Sequence, residues 1–252
     1  MKALSTKAIQ QIQLEMLIYL DKFCKDNKIN YYLGCGTLAG AVLRKGFFPW
    51  DDDIDILMKR EDYEKFIKKY HDINYKLLTC NNKDYYYPYA KLVNTKTTAY
   101  ECKNKINDYG VFIDIFPLDY SPNKLYSILL KPLKILMMSQ WGCYLDNRNI
   151  IIKIIYKLLS IITSPLPKNF FAKIINNICK KRKGKLMGVL VFHKHNREIM
   201  KKDIFDETIK IEFEKHKFTT IKKYEEYLNN LYIDYKKEDK KEGHKHLKAY
   251  WK

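Results

Sequence analysis

The stretch from Gly34 to Met58, GCGTLAGAVLRKGFFPWDDDIDILM, constrains the fold more than any other part of this chain. It places a small-residue turn and a short helix directly before an acidic strand. Because strand side chains alternate between two faces, Asp51, Asp53 and Asp55 are predicted to share one face. Three carboxylates on one face repel each other unless a cation or basic group offsets their charge. Mg²⁺ commonly takes one or two carboxylates plus substrate phosphates, so the strand predicts a metal–phosphate site.

The turn before the acidic strand is suited to an anion. Gly34 and Gly36 allow a sharp turn and a close approach of the backbone to a ligand. A helix is predicted from Leu38 to Lys45, ended by Gly46, and a helix N-terminus favours negative charge. Gly36 and the adjoining Thr37 are therefore candidate phosphate-binding residues.

Apolar periodicity predicts the other elements. A helix capped by Ser5 is expected over residues 6–26. Further strands are expected at 29–33, 51–58 and 111–119, short antiparallel strands between 75 and 100, and helices at 61–70, in three segments between 124 and 183, and from 219 onwards. These elements predict an α/β (α+β) fold, with a core over residues 1–120 and a helical, basic C-terminal subdomain over residues 121–252.

A further acid lies in the segment VFIDIFPLD, residues 111–119. Alternation places Asp114 on the same face as two phenylalanines. An acid among aromatic rings is either paired with a positive group or a functional carboxylate. Asp114 is therefore a candidate site residue, although it lies far from the acidic strand in the sequence.

The charge of the chain implies an anionic partner. The formal net charge is +18, and residues 168–202 contain eleven Lys or Arg against one acid. Nucleic acid, an acidic membrane face, a nucleotide, or simple solvation of a lysine-rich surface would each account for this excess. Lys153 and Lys157 lie on one face of an Ile- and Leu-rich helix, which fits either peripheral contact with an anionic membrane or packing on the sheet. No stretch reaches the roughly eighteen uncharged residues expected of a membrane span.

The cysteines and the N-terminus favour a cytoplasmic protein. The six cysteines are scattered without a C-x-x-C pair, which predicts reduced core thiols rather than a zinc site or a disulfide framework. They are Cys24, Cys35, Cys80, Cys102, Cys143 and Cys179. The first residues show no apolar segment of the kind found in secretory signals, so peripheral contact with the inner membrane face is the expected limit of membrane association.

The segment GTLAGAVLRKGFFPWDDDIDI resembles the signature of the LicD family, the phosphocholine and polyol-phosphate transferases related to fukutin-related protein. The resemblance extends through YAKLVNTKTT, FIDIFPLD and the closing FTTIKKYEEYLNNLYIDY. It implies a nucleotidyltransferase-like mixed sheet flanked by helices, dependence on Mg²⁺ or Mn²⁺, and transfer of an alcohol phosphate from a cytidine diphosphate donor, such as CDP-choline, to a hydroxyl of a cell-surface glycan or its lipid-linked precursor. Asp53 and Asp55 match the family's metal-binding pair, and Asp114 matches the third acid of the superfamily. The closing segment departs from the family pattern at Tyr232-Ile233, where relatives tend to have Tyr-Gly.

This resemblance leads to a hypothesis for each remaining candidate residue. Asp114 could bind the metal or accept the proton of the acceptor hydroxyl. Arg44 and Lys91 are expected near the diphosphate, with a surface position as the alternative for each. Asp51 and Asp52 are expected to orient the metal-binding pair. Aromatic faces hold quaternary ammonium groups, and the candidates for a choline cage are Tyr85, Tyr86, Tyr87 and Tyr89.

Three other functions fit part of the sequence. A nucleotidyltransferase would leave the nucleotide on the acceptor, and a D-x-D glycosyltransferase would use the acids to bind a nucleotide sugar. A non-enzymatic membrane or nucleic-acid binder would use only the basic half of the chain. Because that last function leaves the acidic strand and Asp114 without a purpose, nucleic acid is not the expected partner.

Overall fold

The computed structural model describes residues 2–100, 109–141, 149–181, 183–191, 196–240 and 247–252. The first helix, α1, spans Thr6–Asp26 as the periodicity predicts. Ser5 caps it, with its Oγ accepting a hydrogen bond from the Ala8 N–H at 3.2 Å. Its buried face packs on the hydrophobic core beside the sheet.

The elements follow one another along the chain as a mixture of helices and short strands. The strands are β1 (Tyr32–Leu33), β2 (Asp55–Lys59), β3 (Tyr75–Leu78), β4 (Ala90–Asn94), β5 (Thr97–Tyr100), β6 (Phe112–Ser121), β7 (Leu186–Gly188), β8 (Met200–Lys201), β9 (Thr208–Phe213), β10 (His216–Ile221) and β11 (Lys248–Trp251). The other α-helices are α2 (Cys35–Arg44), α3 (Arg60–Lys69), α4 (Tyr126–Leu129), α5 (Lys131–Trp141), α6 (Ile150–Thr163), α7 (Phe170–Cys179) and α8 (Tyr224–Tyr232).

The central sheet has the strand order β1-β2-β6-β4-β3. Strands β2 and β6 run parallel, whereas β1 pairs antiparallel with β2 and β4 pairs antiparallel with both β6 and β3. Strand β7 continues the sheet from the far end of β6 and pairs with β8. The predicted mixed sheet flanked by helices is therefore confirmed.

Four predicted boundaries around the acidic segment are wrong. Strand β1 has two residues rather than five, and α2 begins at Cys35 rather than Leu38. The turn that ends α2 is made by Lys45, whose φ of 57° is left-handed, and not by Gly46. Strand β2 begins at Asp55 rather than Asp51, because its register with β6 begins where Asp55 lies opposite Asp114.

The C-terminal half is mainly helical as far as Cys179, and beyond that residue it combines short strands with the helix α8. The predicted helix from residue 219 begins at Tyr224 instead, because Thr219 lies in β10 opposite Lys210 of β9. Glu214 and Lys215, both with positive φ, form the turn of this hairpin. Strand β11 pairs antiparallel with β5, so the described C-terminal strand returns to the N-terminal half.

The core matches the expectation for the cysteines that the structure describes. Cys24, Cys35, Cys80 and Cys179 are buried free thiols. Cys102 and Cys143 lie outside the described residues. Within those residues, no helix combines the length and the apolar character needed to cross a membrane.

Candidate active site

Three neighbouring strands bring Asp55, Asp114 and Lys91 together in the middle of the sheet. Asp55 of β2 lies directly opposite Asp114 of β6, and Lys91 of β4 lies opposite Asp114 on its other side. Residues opposite each other on paired strands present their side chains to the same face. The Lys91 Nζ is 2.7 Å from the Asp114 Oδ1, and the Lys91 side chain is fully buried. The structure therefore joins two acids that are far apart in the sequence and adds a buried cation.

The acidic segment presents its carboxylates as alternation predicts. Asp51, Asp53 and Asp55 are half-buried, whereas Asp52 and Ile54 between them are buried. Burial raises the pKa of Asp51 to about 9, and the neighbouring charge of Asp53 and a hydrogen bond with its side chain add to the shift. Burial and the nearby charges of Asp53 and Asp114 likewise raise the pKa of Asp55. Such a cluster is one that a bound cation would stabilise.

The N-terminus of α2 lies against these acids. The Thr37 Oγ1 accepts a hydrogen bond from the backbone N–H of Asp55 at 2.9 Å, so the threonine positions the start of β2. Gly36 faces Asp51, since a Cβ added to the glycine would lie 3.5 Å from the Asp51 Oδ2. The positive end of the helix and the carboxylates thus share one small region. The role of Gly36 and Thr37 in phosphate binding stays a prediction.

Asp52 points away from this face and ties the acidic segment to distant parts of the chain. Its Oδ2 accepts a hydrogen bond from the backbone N–H of Leu247 at 2.9 Å. The Gln13 Nε2 of α1 donates to the backbone oxygen of Asp52 at 2.8 Å and to that of Phe112 at 3.1 Å. These hydrogen bonds fix the backbone of the acidic segment, and the charge of Asp52 also helps to raise the pKa of Asp51.

Arg44 and Lys91, the two predicted diphosphate-binding cations, have different positions. Lys91 lies within the acidic cluster, as described above. Arg44 is exposed at the C-terminal end of α2, seven residues beyond Thr37. At 1.5 Å per residue, its Cα lies about 10 Å along the helix axis from that of Thr37. The structure brings Lys91 directly to the acids. A position of Arg44 near the diphosphate stays a prediction.

The four predicted cage tyrosines are all buried and do not converge on one point. Lys91 Nζ lies 4.8 Å from the ring centre of Tyr87 and 5.7 Å from that of Tyr89, with Phe112 at 3.3 Å. Aromatic faces near the acids therefore already surround an ammonium group, that of Lys91. Tyr85 packs on Tyr87, whereas Tyr86 lies 5.8 Å from the Lys168 Nζ.

Sequence reasoning missed a second buried ion pair at the far end of β6. The Nε and a terminal nitrogen of Arg60 donate to the two carboxylate oxygens of Asp119 at 2.7 and 2.6 Å. The other terminal nitrogen donates to the Asn176 Oδ1 of α7 at 2.9 Å and to Glu64 at 3.1 Å. This pair fastens α7 to the sheet. Asp119 stands inside the FIDIFPLD segment, but nothing in the sequence indicates its partner.

The donor set fits a divalent ion that is shared with a substrate. Within the described ranges, no three acids, histidines or cysteines are arranged to hold an ion by themselves. Asp53 and Asp55 nevertheless supply two neighbouring carboxylates, which is the number that Mg²⁺ commonly takes when phosphate oxygens complete its ligands. Asp114 is already paired with Lys91, so its carboxylate is balanced by a protein cation.

Known proteins have sequences similar to this chain, along nearly its whole length in one case and over short stretches in two others. Residues 28–131 match the family model described as LicD/FKTN/FKRP, nucleotidyltransferase domain. The lipopolysaccharide cholinephosphotransferase LicD of Haemophilus influenzae is 30% identical over 262 aligned positions, which cover 97% of each protein. Two uncharacterized Rickettsia proteins match shorter stretches: one from R. typhi is 36% identical over 20% of this chain and 18% of its own length, and one from R. prowazekii is 50% identical over 14% of each chain. The match along nearly the whole length of both proteins shows that this chain belongs to the LicD family.

Proposed function

We propose that this protein is a transferase that moves phosphocholine from CDP-choline to a hydroxyl of a lipopolysaccharide or related glycan, with release of CMP. The Haemophilus relative, which the chain matches along 97% of its length, is named as a lipopolysaccharide cholinephosphotransferase. Its name supports both the phosphocholine group and the class of acceptor. The cytidine diphosphate donor and the divalent ion are further parts of the proposal.

The observation that carries the proposal is the row of Asp55, Asp114 and Lys91 on three adjacent strands. Phosphoryl transfer depends on positioning and on offsetting the negative charge of the phosphates. A row of two acids and one buried cation, beside a helix N-terminus, offers both cation-binding and phosphate-binding groups within a few ångströms. Asp53 and Asp55 would hold the metal ion, which supplies positive charge to the diphosphate when bound.

The residues of the chain then have separate roles. The N-terminus of α2 and the Lys91 ammonium would bind phosphate oxygens. The acceptor oxygen forms a bond to the phosphorus of phosphocholine, and the bond from that phosphorus to the oxygen of CMP breaks. The proton of the acceptor hydroxyl passes to a base, and Asp114 would be that base. The Lys91 Nζ, 2.7 Å from the Asp114 Oδ1, keeps a positive charge beside this carboxylate.

The proposal is tested with purified protein, Mg²⁺, lipopolysaccharide acceptor and a panel of CDP-alcohols. CDP-choline is expected to be consumed fastest, with equal amounts of CMP and choline-modified acceptor. Asp53→Asn and Asp55→Asn are each expected to lower the rate at least about 10³-fold, because each removes a negatively charged ligand of the proposed metal ion. Asp203→Asn is the matched control, since this exposed acid pairs with Lys223 on the surface.

The products separate this proposal from its rivals. Transfer of the nucleotide to the acceptor would show a nucleotidyltransferase, and consumption of a nucleotide sugar would show a glycosyltransferase. Wild-type turnover by both acidic variants would refute the assignment of the site. Full activity in the presence of excess EDTA would refute only the metal dependence and would leave the rest of the proposal standing.

A further inference from the structure

Helix α6, Ile150–Thr163, has an apolar face that the rest of the described structure does not cover. Only Thr163 of this helix is buried, and the helix packs mainly on α5. The exposed side chains recur at intervals of three, four and one, so they form a continuous stripe along the outer side. They are Ile150, Ile151, Ile154, Ile155, Leu158, Ile161 and Ile162, with exposures from 48% to 71%. Monomeric soluble proteins rarely expose an apolar stripe of this extent without a partner.

The same region has a strong excess of positive charge. Between Pro122 and Arg197 the sequence contains fifteen Lys or Arg and one acid, Asp146. Lys157 is exposed on α6 between its apolar positions, and Lys153 is partly exposed on the same helix. Helix α4 and the start of α5 add the exposed Leu129 and Lys131. An apolar stripe flanked by lysines complements a surface that offers hydrocarbon beneath negative charge.

A second copy of the chain is a poorer occupant of this face. A two-fold interface brings the same patch of both copies together, so it would place the lysines of α6 opposite each other. The described part of α4–α7 contains no acid that could pair with them. The length of α6 also excludes a span, because fourteen residues rise about 21 Å whereas the hydrocarbon core is about 30 Å thick.

We propose that α6 lies in the interface of an anionic lipid bilayer, with its isoleucines in the acyl region and Lys153 and Lys157 at the headgroups. The stripe and its charge carry this proposal, which does not depend on the reaction proposed above. Helix α6 packs on α5, and Trp141 at the end of α5 lies 4.6 Å from the ring centre of Tyr87, which covers Lys91. A bilayer bound to α6 would therefore lie one helix away from the aromatic wall of the site.

The test is co-sedimentation of the full chain with two kinds of lipid vesicle. One contains phosphatidylcholine alone, and the other also contains roughly 30% phosphatidylglycerol, an anionic lipid that attracts basic protein segments. Wild-type protein is expected to bind the anionic vesicles strongly and the neutral ones weakly. The double variant Ile154→Gln/Ile161→Gln should lose at least about tenfold in affinity, since each change removes apolar burial in the interface. Lys157→Gln should lose about fivefold for the anionic vesicles and little for the neutral ones.

Two control variants make the result specific. Ile73→Gln changes an isoleucine that is 89% exposed after α3, and Lys68→Gln changes an exposed lysine on α3 itself. Both are expected to bind like wild type.

Two outcomes of the sedimentation assay would overturn the proposal. One is an equal loss of vesicle binding in the control variants and the α6 variants, and the other is wild-type protein that stays in the supernatant. A dimer in analytical ultracentrifugation that Ile154→Gln/Ile161→Gln dissociates, without vesicle binding by either protein, would assign the face to a second copy instead. CMP release in detergent-free solution, measured separately, distinguishes a failure of membrane binding from a failure of the enzyme.

Discussion

Strand β6 carries two buried acids, Asp114 and Asp119, that are paired with different cations. At Asp119 the planar guanidinium of Arg60 makes two parallel hydrogen bonds and directs its remaining donors to Asn176 and Glu64. At Asp114 the cation is the ammonium of Lys91, a compact charge on a flexible stem. The first arrangement is fixed in geometry and suits a structural clamp. The second is a contact with a point charge, which fixes the relative orientation of the two groups less than the guanidinium does.

The two pairs also differ in what happens when the acid is lost. A lysine can shed its proton when its environment disfavours charge, whereas an arginine stays charged in proteins. Asp114 has Asp55 opposite it, and the charge of Asp114 raises the pKa of Asp55. Removing Asp114 therefore also removes its repulsion of Asp55. The comparison predicts that one acid matters for turnover and the other for stability.

The largest expected effect is on activity, with Asp114→Asn. The rate of CMP release should fall about 10²- to 10⁴-fold, because the amide cannot accept the hydroxyl proton. Urea unfolding followed by circular dichroism should show a smaller loss of stability than for Asp119→Asn, for the reasons given above. An Asp114→Asn protein that turns over normally, or that is the less stable of the two, would contradict the comparison.

Asp119→Asn should lower the free energy of unfolding by about 3–5 kcal/mol, because it leaves the buried Arg60 charge without its carboxylate. The rate per folded molecule should stay close to wild type at low temperature. Urea titration measures the first quantity, and CMP release at matched folded concentration measures the second. Asp206→Asn is the control, since its exposed pair with Lys59 at 3.0 Å should contribute only about 0.2–1 kcal/mol. Equal destabilisation by both variants would mean that the Arg60 pair is not the clamp described here.

The smallest expected effect is that of Thr37→Val. The valine removes the acceptor for the Asp55 N–H and should cost about 1–3 kcal/mol of stability. Thr37→Ser keeps the hydroxyl and should restore most of this loss. Thermal denaturation of the two variants, alongside their rates, measures the contribution of the threonine. If valine and serine behave alike, the hydrogen bond to β2 does not position the acidic segment.

Local patterns predicted part of the arrangement of the candidate site, because burial alternates from residue to residue along its acidic segment. The alternation of Asp51, Asp53 and Asp55 with buried residues, and the cap at Ser5, follow from rules that act within a few positions. The pairing of Lys91 with Asp114 does not, because it depends on β4 lying next to β6 in the sheet. Sequence periodicity does not specify the order of strands that are distant along the chain.

The wrong predictions have similar physical causes. The end of strand β10, residues 219–221, is predicted to be helical because KKYEEYLNNLY is a strong helical pattern, which masks the alternation just before it. The hairpin is held by cross-strand pairs such as Phe218 with Ile211, which only the tertiary structure makes visible. The sequence does not predict whether the apolar face of α6 is exposed, because the periodicity of an apolar helix does not specify what packs against it.

The hydrogen bond from Leu247 to Asp52 joins positions 195 residues apart. Translation at about 5–20 residues per second separates their synthesis by about 10–40 s. During that interval the acidic segment exists on the ribosome without this donor and without the β11 pairing beside it. The acidic edge of the sheet therefore reaches its final form only after the segment around Leu247 has been made.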